Sequence, residues 1–100
     1  MRGDILLKNI STSELKKLLA ENRGLNIIDV REVAEVSSGI IPGALNIPLG
    51  LLEFRMHELD KSKEYIMVCQ SGGRSGRASQ FLEGRGFNVI NMTGGMLDWE

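Results

Sequence analysis

The sequence predicts an α/β domain built on a mainly parallel sheet, and three observations carry that prediction. Strand-like runs alternate with helix-like patterns from one end to the other. Tyr65-Ile66-Met67-Val68-Cys69 is an apolar run of strand length, too short for a helix. Gln70-Ser71-Gly72-Gly73 follows at once, the sharp exit of a strand that leads into a helix. Strands joined by helical crossovers run parallel, and such sheets bind ligands beyond the carboxyl ends of their strands. That rule points at Cys69.

Taken in order, Ser11 with Glu14 three residues later fits a capping box, and Leu15, Leu18 and Leu19 repeat at helical spacing. Gly24 stands where that helix should stop. Leu25-Asn26-Ile27-Ile28-Asp29-Val30 reads as a strand buried on both faces. A charged and polar connection runs to Gly39, and Gly43-Ala44-Leu45-Asn46-Ile47 gives a short strand held between Pro42 and Pro48. Leu52, Met56 and Leu59 mark a second helix, and Tyr65–Cys69 is the central strand. From about Arg74 the spacing of Ala78, Phe81 and Leu82 gives an amphipathic helix ending at Gly84 or Gly86. Asn88-Val89-Ile90-Asn91 makes another strand, Gly94-Gly95 a sharp turn, and Met96-Leu97-Asp98-Trp99-Glu100 the first turn of a helix.

One hundred residues, 42% hydrophobic and 25% charged, suit one compact domain spanning residues 1–100. Twelve Lys and Arg against thirteen Asp and Glu leave a formal net charge of -1, so no global field draws in nucleic acid or an anionic membrane. No apolar stretch approaches the roughly 18 residues of a membrane helix. Ile5-Leu6-Leu7, stopped by Lys8, lacks the apolar length and cleavage site of a secretory signal, which makes a soluble, cytoplasmic protein the expectation. A single cysteine and a single histidine, Cys69 and His57, form neither an internal disulfide nor a structural zinc site of Cys and His ligands. No metal and no cofactor is expected. Gly73-Arg74-Ser75-Gly76 has the GxxG spacing of an RNA-binding loop, but it follows a strand in a chain that is not basic.

The chemistry concentrates at Cys69. After the strand, glycines at 72 and 73 open backbone angles closed to other residues, so that successive N–H groups turn inward as an anion-binding nest. The helix that begins there adds unpaired donors and partial positive charge, and Arg74 with Arg77 nearby adds full charge at the rim. Each of these favours thiolate over thiol, so a depressed pKa and a nucleophilic sulfur are expected. A lone Cys ending an apolar run is more often a small core residue. The following Gln-Ser-Gly-Gly-Arg-Ser weighs against that here. Asp29, Arg31, Glu32 and Glu35 read as a solvated or self-paired charge run, His57 as a surface residue, Met56, Met67, Met92 and Met96 as core filler and Trp99 as a packing anchor.

Three ordered motifs resemble the single-domain rhodaneses, a family of thiosulfate and persulfide sulfurtransferases. Asp29-Val30-Arg31 with Glu35 and Gly39, then Ile41-Pro42-Gly43-Ala44 with Asn46-Ile47-Pro48, resembles the first signature; Cys69-Gln70-Ser71-Gly72-Gly73-Arg74-Ser75 the active-site loop; and Gly94-Gly95 with Trp99 the last. The resemblance spans about Ile10 to Trp99. It implies a central, mostly parallel five-stranded sheet with helices on both faces and a persulfide formed on Cys69. It also implies that Gln70, Ser71, Gly72, Gly73, Arg74 and Ser75 hold an anionic donor such as thiosulfate, that a thiol or protein accepts the sulfur, and that Asp29 and Arg31 are structural. Ile40 stands where the family commonly has His. Two rivals share the fold: a cysteine phosphatase or arsenate reductase, whose loop has one residue more between Cys and Arg, and a non-catalytic binding or sulfur-carrier module.

Overall fold

The computed structural model describes residues 8–21 and 24–99. The leader reading at Met1–Leu7 and the last residue, Glu100, lie outside the described residues. Five strands form one parallel sheet: β1 (Lys8–Ile10), β2 (Asn26–Asp29), β3 (Leu45–Asn46), β4 (Glu64–Val68) and β5 (Asn88–Met92), in the order β1-β5-β4-β2-β3. The apolar run at 65–68 is central because burial on both faces leaves it no polar side to turn to water.

The helices are α1 (Thr12–Ala20), α2 (Val33–Val36), α3 (Leu52–Arg55) and α4 (Gly73–Gly84). Alternate side chains of the strands feed two cores. On one face Ile27, Ile66, Val68 and Met92 pack with Leu15 of α1, joined by Met96 and Trp99 from the C-terminal turn. On the other, Ile28, Val30, Met67, Cys69 and Val89 pack with Leu52 of α3 and with Ala78 and Leu82 of α4. Full burial of each such aliphatic side chain contributes about 1.5–3 kcal/mol. No helix among the described residues is long and apolar enough to cross a membrane.

The predicted capping box is present, with the Ser11 hydroxyl accepting from Glu14 N–H at 3.1 Å and the Glu14 carboxylate accepting from Ser11 N–H at 3.0 Å. The helix nevertheless ends at Ala20, and Gly24 takes its left-handed φ of 65° in the turn to β2. Periodicity does not anticipate β1, an edge strand of three residues of which Ile10 alone is buried. The polar connection to Gly39 contains α2, a single turn capped by Glu32 and Glu35. The expected second helix over 52–59 is instead one α-turn between 3-10 turns at Leu49–Leu51 and Met56–Glu58. Its three apolar anchors come with no side-chain cap, too little to propagate a helix. The C-terminal turn, Met96–Asp98, is likewise 3-10.

Candidate active site

Cys69 is the first residue beyond β4, 1% exposed, with its side chain on the α3/α4 face. The chain must reverse within three residues to start α4, and Gly72 does so at φ 101°, ψ -13°. That conformation aims the Gly72 N–H at Cys69 Sγ, 3.0 Å away. A Cβ on Gly72 would also meet the Gly94 nitrogen at 3.4 Å. Gly73 corrects one expectation: it has no positive φ and open space around it, because it is already the first residue of α4. The nest is turned by Gly72 alone.

Burial pushes the Cys69 thiol up, but the Ser75 hydroxyl and N–H and the N–H groups of Gly72 and Ser71 outweigh it, so the net shift is downward. Hydrogen bonding to the charged form dominates, as the strand, loop and helix arrangement implies. Ser75 is fully buried, its hydroxyl also 3.3 Å from the Gly72 carbonyl. Gln70 lines a cavity of about 230 Å³ beside the loop, together with Arg31, Ser38, Gly39, Ile40, Met96 and Trp99. Ser71 is exposed at the turn. Lys16 lies over the Trp99 ring, 5.1 Å from its centroid.

Arg74 does not reach into open solvent. Its Nη1 and Nη2 donate to Glu35 Oε1 and Oε2 at 2.7 and 2.8 Å, a bidentate pair between the first turn of α4 and α2. The guanidinium holds the Glu35 carboxyl down to about 2, assisted by the Glu32 N–H that also donates to Oε1 at 2.8 Å. Arg31 is spent as well: Nε and Nη2 bind the fully buried Asp29 carboxylate at 2.8–3.1 Å, and Nη2 donates to the Gly39 carbonyl at 2.8 Å. Asn46 Nδ2 ties the Asp29 and Arg31 carbonyls at 2.8 and 2.9 Å, fixing the strand exit. Asp29 and Arg31 are thus architectural. His57 is exposed on its 3-10 turn.

Three contributors were not assigned to the cradle from the sequence. Glu35 stood in the charge run with no indication that its partner lies 39 residues away. Gly95 sits against the loop, its turn letting Met96 N–H donate to the Cys69 carbonyl at 2.8 Å and Leu97 N–H to the Gln70 carbonyl at 2.9 Å. Asn91, buried on β5, sends Nδ2 to the Gly72 carbonyl at 3.4 Å. The Gly94-Gly95 doublet was the available signal for the second, since paired glycines mark a backbone approach no side chain allows. The described residues bring no three potential metal ligands together.

Comparison with known proteins places this arrangement among relatives. The model of the rhodanese-like domain matches residues 11–100. The chain is 44% identical over 94 residues to YtwF of Bacillus subtilis, covering 94% of this chain and 91% of that protein. It is 32% identical over 105 residues to the human thiosulfate:glutathione sulfurtransferase, with 90% of each covered. Among solved structures, a rhodanese-like domain protein from Staphylococcus aureus superposes with a TM-score of 0.90 at 36% identity, covering 94% of this chain and 92% of the other.

Proposed function

The chain belongs to the rhodanese-like domain family, and from that premise and the cradle around Cys69 we propose that it is a sulfurtransferase carrying a sulfane sulfur on Cys69. Residues 1–100 act as one domain, in the reducing cytoplasm where a free thiol persists. The observation that carries the reading is the Gly72 N–H, which donates to Cys69 Sγ at 3.0 Å.

The Cys69 thiolate attacks the outer sulfur of thiosulfate or of a thiol persulfide. A new S–S bond forms, the donor's own S–S bond breaks, and sulfite or the donor thiolate leaves with the electron pair. The same amides then hold the terminal sulfur of the Cys69 persulfide, so charge stays compensated in both states. A nucleophilic acceptor, a small thiol or a protein cysteine, removes the outer sulfur and regenerates the thiolate. Four residues between Cys69 and Arg74 make a loop tight enough for one added sulfur and cramped for a phosphoryl group. Cys69→Ser should abolish thiosulfate:cyanide turnover with an unchanged circular dichroism spectrum. Turnover by that variant, or aryl-phosphate hydrolysis by the wild type, would overturn the reading.

A further inference from the structure

We propose that Glu35 is a specificity-determining residue: by closing a bidentate ion pair on Arg74 it offsets the charge of the guanidinium that follows the loop and so favours thiol persulfides over dianionic thiosulfate as donors. The proposal rests on the sulfur-transfer reading and adds the donor class. The loop turned by Gly72, whose N–H donates to Sγ, serves one negative charge, that of the thiolate or the terminal persulfide sulfur. A second negative charge on the donor needs a cation of its own. Two guanidinium groups that flank the loop are committed, Arg31 to buried Asp29 and Arg74 to both oxygens of Glu35, while Lys16 lies farther out over the Trp99 ring and Arg77 is exposed on α4. The cavity beside the loop offers Gln70, Ser38, Ile40, Met96 and Trp99, none charged, and an Arg31 only 3% exposed. Thiosulfate must therefore bring its sulfonate to a loop whose own guanidinium is already paired, whereas a thiol persulfide brings no second anionic group.

Glu35 is an intermediate-exposure residue on α2, outside the cradle, and it acts through Arg74. Glu35→Gln keeps an oxygen for the Glu32 N–H, removes the negative charge and puts an NH2 donor where Arg74 Nη2 found an acceptor, so the Arg74 charge is left uncompensated. Arg74→Gln leaves the Glu35 carboxylate without its cation, and the double variant removes both charges together. The measurement is the rate of Cys69 persulfidation by quenched intact mass, with thiosulfate and with 2-hydroxyethyl persulfide, which bears no further charged group, as donors, expressed as their ratio. Relative to wild type the ratio should rise roughly ten-fold in Glu35→Gln, fall roughly ten-fold in Arg74→Gln, and return to within about three-fold in the double variant. A structural latch would instead move both single variants in the same direction. Ratios unmoved, or displaced the same way in both, overturn the role of Glu35. Should Glu35→Gln fail to fold, recovery of the ratio from Arg74→Gln to the double variant still supports the proposal, and no recovery overturns it. Wild-type protein that takes sulfur from neither donor would overturn the sulfur-transfer reading itself, a result distinguishable from an unchanged ratio.

Discussion

Replacing Gly95 by alanine tests whether the C-terminal turn holds the cradle in shape. Gly95 sits at φ 62°, ψ -164°, a region essentially reserved for glycine, and an L side chain there costs about 1–3 kcal/mol. A Cβ would stand 2.3 Å from the Gln70 carbonyl oxygen, 2.4 Å from its carbon and 2.6 Å from Ser71 N. All three are backbone atoms and none can swing aside, so loop and turn must part by about 1 Å in a close-packed interior. That stretches the bonds from Met96 and Leu97 N–H to the Cys69 and Gln70 carbonyls, each contributing about 0.5–1.5 kcal/mol. Together the loss is about 3–5 kcal/mol, a fall in melting temperature of at least about 12 °C for a domain of this size. Two other glycines calibrate the effect. Gly43→Ala meets only a positive φ of 86° in open space and should cost about 1 kcal/mol, and Gly50→Ala, with neither strain nor neighbour, should be neutral or slightly stabilising. Thermal melts of the three, with thiosulfate:cyanide turnover measured well below the melt, form the assay. A Gly95→Ala protein that melts within about 2 °C of Gly50→Ala and turns over at the wild-type rate would refute the argument.

Iodoacetamide alkylation of Cys69 against pH should inflect below that of a free cysteine thiol measured alongside, and Ser75→Ala should move the inflection up by removing the largest contribution that favours the thiolate; an inflection at or above that of the free thiol contradicts this. Asp29→Asn leaves the Arg31 charge buried without its counterion and should cost about 3–5 kcal/mol in urea unfolding, against a contradicting loss below about 1. Because the folded pKa of Glu35 lies at about 2, below its ordinary 4.5, its stabilisation is full above pH 4.5 and is lost as pH falls toward 2. With side chains about a third exposed, that contribution is at most about 1 kcal/mol. Arg74→Gln should remove this part of the acid sensitivity, and an unchanged pH dependence of the urea midpoint would contradict the assignment.

The strand, loop and helix around Cys69 were legible because each device is local: an apolar run, a glycine that must reverse the chain, and helical spacing from Ala78 to Leu82. Asp29 and Arg31 were legible as structural through resemblance, although only the fold reveals that both are buried and bound to each other. What escaped is long-range. Glu35 meets Arg74 because parallel pairing of β2 with β4 brings their carboxyl ends side by side, a juxtaposition with no sequence period. Gly95 meets Gln70 because β5 flanks β4 on the other side. Edge position hid β1, and the capping pair that forms α2 looked like a solvated charge run. Gly73 was over-read: two adjacent glycines suggested two unusual conformations, and the turn needs one.

The central claim is that Cys69 carries the transferred sulfur, and intact mass spectrometry of the protein after incubation with thiosulfate or a thiol persulfide, then desalting, tests it most directly. The account predicts a gain of one sulfur atom, located on Cys69 by fragmentation, removed by cyanide and absent from Cys69→Ser. A wild-type mass unchanged by both donors would contradict it.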